Sequence, residues 1–575
     1  MRIVCSGTAG TLAFEDPLEI VSAQSAADVR GAFERIEAAL DDGKYVAGFL
    51  SYELGAVLVP KQRSLIAMPL PLLSIGVYEK PGAPRAAGGD FSVGPLAPGV
   101  STSSYRAAIA TILDAIREGD VYQVNYAVPF RFGFTGDPYG LYRRLTQDRA
   151  FPHAAYVETD EFALVSCSPE LFLSFNGTRI VAKPMKGTAR LGEFAALGDD
   201  KNRAEHVMIV DLLRNDLHRL SDRVEVERLF EVEGYPAFLT MTSTIAADLE
   251  AARSFGEILT ATFPSGSVTG APKAAAMQWI ARVEREPRGI FCGGIGYLAP
   301  DRTGSWNVAI RTAAIDKRTG RGVLNVGGGI VADSDADAEW REIETKRRFF
   351  DAVTPRYALI ETLALEDGAY PRLAGHLARL ERSADELHFV YEADCVLAAL
   401  DRERLHGHGL VRLVLEHDGT VKTLRRALRT SPEPVALCWA DAIVDSTEPL
   451  LRHKTSWRPR HDVALAAAER DGCFDALLCN ERGEVADGSR STLFVRAGTT
   501  LLTPPIAAGA LPGVLRASLL ATGEAREAPL TPAGVARATE IFVGNSARGL
   551  LRGYLVAPAR GSQPIASRGR PASAC

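Results

Sequence analysis

Apolar positions recur along this chain at two spacings, and the alternation between them divides it into elements. Helical spacing runs through DVRGAFERIEAAL and through residues 105–118, YRAAIATILDAIRE, where apolar side chains return every three to four positions. It returns at 204–217, at 339–350 and in HLARLERSADELHF. Strand-like runs lie between the helices: KYVAGFLSYELGAVL, FCGGIGYL, WNVAIRTAAI and GVLNVGGGIV. From 161 to 190 two more, FALVSCSPELFLSF and RIVAKPMKGT, flank Asn176-Gly177, a strong hairpin signal. The Gly/Pro stretch EKPGAPRAAGGD reads as an exposed loop. A second unit opens near Tyr357 with the strand YALIETLAL. The pattern predicts an α/β chain with domains at 1–352 and 353–558. The small, polar, basic segment 559–575 is expected to be a disordered tail. Internal repeats are not evident.

Composition bounds the class. The chain has 575 residues, 46% hydrophobic and 24% charged, with a formal net charge of −6. That length allows several domains, each with a substantial core. The charge balance offers no general attraction to nucleic acid or to an anionic membrane. No apolar run approaches the roughly 18 residues that span a bilayer, and the N-terminal stretch has no apolar signal-peptide core. The 8 cysteines form no CxxC pairs, which suits reduced thiols in a cytoplasmic protein rather than disulfides or a zinc site.

The hairpin carries the first candidate chemistry. An Asn176-Gly177 turn sets Phe175 opposite Thr178 and Glu170 opposite Lys183. Lys186 follows three residues on, about 10 Å at strand rise, so one hairpin would deliver a carboxyl group and an amine to a shared pocket. Pro184 cannot donate a ladder hydrogen bond, so pairing is expected to stop there. A nucleophilic amine must be neutral, and an ordinary lysine with a pKa near ~10.4 is under ~1% neutral at pH 7. Burial or a neighbouring cation such as Lys183 would lower that pKa. The competing reading is a solvated surface lysine, the usual state of an isolated Lys.

Two helical segments add acids. In EHVMIVDLLRNDL, Glu205 shares a face with Met208, Ile209 and Leu212, and an acid on an apolar stripe needs a partner or a metal. In EWREIETKRRFF, Glu339 and Glu342 are i,i+3 neighbours. Carboxylates from two helices would suit one Mg2+, a hard cation with oxygen ligands; a solvated helix face with salt bridges explains either segment alone. Gly327-Gly328-Gly329 and SGSVTGAPK present backbone N–H groups suited to an anion, although glycine runs are commonly turns.

Together these strings resemble the chorismate-utilising enzymes, and within them the aminodeoxychorismate synthase component I group of the folate pathway. The pieces are SPELF (168–172), KPMKGT (183–188), KNRAEHVMIVDLLRNDL (201–217), SGSVTGAPK (265–273), GGIGYL (293–298), WNVAIRTAA (306–314), NVGGGIVADS (325–334) and EWREIETK (339–346). The resemblance implies a two-layer β-sandwich core with outer helices. It implies that Glu170 is an acid/base catalyst and Lys186 the nucleophile at ring carbon 2. Glu205 and Glu342 would be magnesium ligands with Glu339 nearby. Chorismate contacts would come from Gly187, Thr188, Thr269, Gly270, Tyr297, Arg311, Gly327, Gly328 and Gly329. Anthranilate synthases have alanine at the position of Lys186, and isochorismate-type enzymes have a lysine base at the position of Gln123. An amide cannot act as that base, so both positions favour para-amination. Many relatives have His where LTMTSTI supplies Thr240. The string GxCxG of a glutaminase nucleophile is missing, so a separate glutamine amidotransferase subunit is the expected source of ammonia.

The second unit resembles class IV pyridoxal-phosphate enzymes of fold type IV, and in this fused position aminodeoxychorismate lyase. The matching strings are HLARLERSA (376–384), RHKTS (452–456), EVADGSRSTLFV (484–495), ALPGVLR (510–516) and FVGNSARGL (542–550). The resemblance implies that Lys454 is the lysine linked to pyridoxal 5'-phosphate. Arg379 and the amides of Gly513, Val514 and Leu515 would hold its phosphate, with Ser546 adding a hydroxyl. Asp487 stands where the family has Glu at the pyridine nitrogen, and Thr492 replaces Asn. Arg548 would meet a substrate carboxylate or form a structural salt bridge. A homodimer through this unit is left open. Three further readings also stay open: a non-catalytic dimer-forming module, an amino-acid transaminase, and a first half of anthranilate or salicylate type.

Overall fold

The computed structural model describes residues 1–7, 10–60, 62, 70–147, 151–189, 200–235, 238–251, 253–405, 407–428 and 431–556. The chain divides into two compact units between Pro355 and Arg356. The tail expected over 559–575 lies outside the described residues.

Among the described residues the first unit builds two ten-stranded sheets. One begins at its edge with Gly270–Ala271, followed by Gln123–Gly136, Arg321–Ile330, Thr312–Asp316 and Phe162–Ser166. The other begins with Met185–Ala189, followed by Phe238–Asp248, Arg179–Lys183, Leu171–Asn176 and Thr303–Val308. Side chains of both sheets, among them Val165, Leu173, Val308 and Val326, enter one buried cluster. Helices cover it through apolar stripes: Val29, Ala32, Ile36 and Leu40 on Ala26–Asp41, and Tyr105, Ile109, Ile112 and Ala115 on Thr102–Arg117. The first starts at a capping box of Ser25 and Asp28, the second at Ser101, whose hydroxyl accepts the Ser104 N–H.

Four expectations change. The hairpin pairs Asn176 with Arg179, so the loop is Gly177-Thr178 rather than Asn176-Gly177. Gly177 takes φ +63, as a first loop residue must in a glycine-led two-residue turn. Further out an irregularity shifts the register, and Leu171, not Glu170, lies opposite Lys183. Pro184 does end the strand Arg179–Lys183, but pairing resumes at Met185 against the same neighbour, Phe238–Asp248. Finally, WNVAIRTAAI is not one strand. Thr303–Val308 belongs to one sheet and Thr312–Asp316 to the other.

That crossing has a counterpart between Phe162–Ser166 and Leu171–Asn176, which also change sheets. The two crossings are tied together. Cys167 N donates to Arg311 O at 3.0 Å, Val308 N to Glu170 O at 3.1 Å, and Ser168 Oγ to Val308 O at 2.6 Å. Arg311 takes φ +51 there. Glu170 and Arg311 are therefore placed by the change of sheet.

The second unit, in its described residues, has a three-stranded sheet (Leu359–Leu365, Gly409–Leu415, Val421–Arg426) with helices Leu373–Leu387 and Ala393–Arg404, and an eight-stranded sheet. Lys454 follows the short turn Pro449–Arg452, and its carbonyl accepts Ile360 N–H at 2.8 Å. Among the described residues no helix is long and apolar enough to cross a membrane.

Candidate active sites in the two units

In the first unit Lys186 reaches Glu205 of the helix Asp200–His218, with Nζ and Oε2 2.6 Å apart. Both side chains keep some access to solvent, 22% and 15%. Lys183, expected to act as a depressing cation, is instead ion-paired with Glu233. Glu170 is 4% exposed. Burial pushes its carboxyl up to about 7, against the opposing pull of the Ser267 hydroxyl and of Lys186 and Lys346. Ser267 Oγ donates to Glu170 Oε1 at 2.6 Å. The carboxyl thus feels the charge of both lysines and is poised for proton transfer near neutrality.

Gly327, Gly328 and Gly329 lie on Arg321–Ile330, paired with Ala127, Tyr126 and Asn125. A methyl group at Gly328 would touch Glu339 Oε2 and Lys346 Nζ at 3.4 and 3.6 Å. At Gly329 it would collide with Gln123 Nε2 at 2.1 Å. Glycine here lets Gln123 and the carboxylate helix approach the strand. Gly270, at φ +133, passes equally close to Gln123, whose carbonyl would lie 2.2 Å from an added Cβ. Thr269 spends its hydroxyl on the carbonyls of Ser265 and Gly266. Gly187 takes φ +69 within Met185–Ala189. The backbone of Thr188 pairs with Thr240, while its side chain falls outside the described part. Tyr297 is not brought to this group: its ring packs 5.6 Å from Phe14 in a cluster with Ile3, Cys5 and Tyr78.

The acids expected to bind magnesium are each engaged. Glu205 pairs with Lys186, and Glu342 Oε1 lies 2.7 Å from Lys346 Nζ. Glu339 Oε1 accepts from Ser334 at 2.7 Å. No group of three potential ligands converges among the described residues. The donors are nevertheless hard oxygens on two helices, which fits an ion that retains water and takes further oxygens from its substrate. Lys346 also donates to Gly327 O at 2.8 Å. The sequence places it on one helix side with Glu339 and Glu342, and its i,i+4 spacing from Glu342 was the signal for the ion pair.

In the second unit burial, reinforced by Arg379, Arg458 and Arg412 against the pull of Glu361, lowers Lys454 to about 7. Arg379 grips Glu361 with two bonds, Nε to Oε1 at 2.8 Å and Nη2 to Oε2 at 2.5 Å, and its Nη1 donates to Pro512 O at 3.3 Å. His376 Nδ1 lies 2.7 Å from Glu361 Oε2, and its Nε2 bonds Ser546 Oγ. Burial pushes the Glu361 carboxyl up, but Arg379 and His376 outweigh it and hold the group at about 2. Glu361 was missed in the sequence; its signal was a lone acid in the apolar strand YALIETLAL.

The helix Val514–Ala521 starts at Gly513 without a side-chain cap, leaving its first amides to an anion such as a phosphate. Arg379 keeps two of its five N–H donors beyond the bonds described. Asp487 is buried, and its two oxygens accept Gly488 N–H and Leu511 N–H, each at 3.1 Å. Burial raises it to about 7, against those two bonds. Arg548 Nε is buried without a hydrogen-bond partner, a donor suited to an anionic ligand. A desolvated lysine, an uncapped helix start and an orphan guanidinium donor suit pyridoxal phosphate and a carboxylate substrate.

A paired lysine, a desolvated acid and glycine-lined strands at a sheet crossing are the marks of an enzyme site for a small anion. Residues 2–352 match the chorismate binding enzymes, and the chain belongs to that family. Residues 358–553 match amino-transferase class IV. Both resemblances read from the sequence strings are borne out. Aminodeoxychorismate synthase component 1 of Klebsiella aerogenes is 37% identical over 254 residues, 42% of this chain and 56% of that one. Anthranilate synthase component 1 of Aquifex aeolicus is 36% identical over 244 residues, 40% and 49% of the two chains. The chain thus spans about half the length of these curated relatives. The structure of anthranilate synthase component I from Streptococcus pneumoniae superposes with a TM-score of 0.50 at 23% identity, over 60% of this chain and 92% of that one, which shows the shared fold.

Replacing Glu361 by alanine strands Arg379 and His376 in the interior. Removing one partner of a buried pair costs about 3–5 kcal/mol, so urea unfolding of Glu361→Ala should show the second unit's transition weakened by that amount and the first unit's unchanged.

Proposed function

We propose that the first unit converts chorismate to 4-amino-4-deoxychorismate through a covalent adduct of Lys186, and that the second unit eliminates pyruvate from that product to give 4-aminobenzoate. The observation that carries the reading is the pairing of Lys186 with Glu205 at 2.6 Å, with buried Glu170 under the electrostatic influence of the same lysine. The neutral Lys186 amine attacks ring carbon 2, both ring double bonds shift by one bond toward carbon 4, the attached nitrogen gives up a proton, and the 4-hydroxyl leaves. Glu170, near half-protonated at neutral pH, supplies the proton that turns it into water. Ammonia then enters at carbon 4, both double bonds shift back, the new ammonium gives up a proton, and Lys186, taking a proton, departs from carbon 2 as a free amine.

Lys186, in place of the alanine of anthranilate synthases, and Gln123, in place of a lysine base, both support amination at carbon 4. Glu205, Glu342 and Glu339 would hold magnesium, which neutralises a substrate carboxylate. Arg311 and the glycine amides suit the other carboxylate. Relatives named component 1 support a separate glutamine amidotransferase as the ammonia source.

In the second unit pyridoxal phosphate, when bound, supplies an electron sink. The amides of Gly513, Val514 and Leu515 with Arg379 would bind its phosphate, and Asp487 would face its ring nitrogen. Lys454, lowered to about 7 and so about half neutral at pH 7, removes the proton from carbon 4, and the pyruvate-bearing oxygen leaves carbon 3. Arg548 holds a substrate carboxylate. The class IV match itself favours a second reading, transfer of the amino group to a 2-oxo acid. Release of pyruvate together with 4-aminobenzoate decides for elimination.

The central experiment incubates the full chain with chorismate, magnesium and ammonia. Lys186→Ala should abolish the 4-aminated product; unchanged formation would refute the nucleophile. The rate should fall along a limb near pH 7 as Glu170 loses its proton, and Glu170→Gln should remove that limb. The holoprotein should show the absorption of a lysine-bound pyridoxal phosphate. Lys454→Ala should lose both that band and pyruvate release while keeping the first reaction.

A further inference from the structure

We propose that Thr240 is a positioning residue for Lys186, an inference that rests on reading Lys186 as the nucleophile. Lys186 lies opposite Met241 and Thr188 opposite Thr240, so Gly187 is one extra residue in its strand. Such a bulge turns the neighbouring side chains and takes a backbone group out of the ladder. Gly187 adopts φ +69, a conformation open to glycine at little cost. Its carbonyl is met by Thr240 Oγ1, which donates at 2.7 Å. Thr240 is 0% exposed, and its branched side chain has few rotamers, so the hydroxyl is a fixed donor.

The same strand anchors the other half of the ion pair. Ser243 Oγ lies 2.7 Å from His206 Nε2, the residue next to Glu205. Two hydroxyls of Phe238–Asp248 thus pin the segment that carries Lys186 and the helix that carries Glu205. Thr240 touches the backbone directly after the reacting amine. Its role is to keep the bulge, and hence the amine, in one place.

The test compares Thr240→Val, which keeps the shape and removes the hydroxyl, with Thr240→Ser, which keeps the hydroxyl. A displacement of an ångström or so costs on the order of 100-fold in rate. Thr240→Val should therefore lower kcat for ammonia-dependent amination by about 10- to 100-fold, with KM for chorismate and the melting temperature little changed. Thr240→Ser should recover most of kcat. A second measurement needs no turnover: acetylation of Lys186 by acetic anhydride, read by mass spectrometry against Lys183. The rate at Lys186 should change several-fold in the valine variant alone. An unaltered kcat or Lys186 acetylation rate in Thr240→Val, or an equal loss in Thr240→Ser, would overturn the proposal. If the parent chain forms no aminated product, the nucleophile reading fails, and the acetylation comparison still decides whether Thr240 holds the amine.

Discussion

The ion pair of Lys186 with Glu205 joins the end strand of one sheet to the helix Asp200–His218. Neither charge sits in open water, and a partly desolvated charge that loses its partner costs more than the pair contributes. The helix is therefore held over the strand that bears the amine. The hydroxyl of Ser243 on His206 and that of Thr240 on Gly187 act in the same direction. Glu205 is also the expected ligand of a divalent ion. Under the proposed function the same carboxylate would serve both the amine and a divalent ion, and its engagement would decide how much counter-charge Lys186 retains.

Glu170 owes its state to a different constraint. It sits where the chain passes from one sheet to the other, so its backbone is fixed by Val308 and its side chain is removed from water. Ser267 is its one described side-chain hydrogen bond. A carboxyl with so little stabilisation of its charged form is held near pH 7 by burial. The same crossing places Arg311 at a positive φ. The architecture that lets two sheets share one core also brings Glu170 and the backbone of Arg311 to one junction.

Much of this was legible in the sequence, because helix faces and glycine runs follow local rules. The stripes on Ala26–Asp41 and Thr102–Arg117 needed only spacing, whereas the glycine run reads in sequence as a set of amides, and its close approach to Gln123 is a tertiary fact. The register of the hairpin did not follow, since it depends on which residue takes the positive φ, and Asn176 and Gly177 compete for that role. The crossing inside WNVAIRTAAI was hidden because strands buried on both faces read as one apolar run. Glu361 was overlooked for a related reason. Its partners His376 and Arg379 lie on a helix further along the chain, so the lone acid has no local explanation. Tyr297 fits its string but not its expected place, because its strand turns the ring toward Phe14.

The two lysines show how differently a fold can treat the same side chain. Lys454 is surrounded by Arg379, Arg458 and Arg412, while the nearby acid, Glu361, is already bonded to Arg379 and His376. Desolvation and like charge then favour the neutral amine before any ligand arrives. Lys186 carries its own carboxylate at 2.6 Å, so its reactivity depends on where Glu205 goes. The first device suits a lysine that must lose its proton to link a carbonyl cofactor. The second ties the charge of the amine to the carboxylate that pairs with it. The requirement for a precise backbone is correspondingly greater around Lys186, and that is where the structure places a bulge, a glycine and a buried hydroxyl.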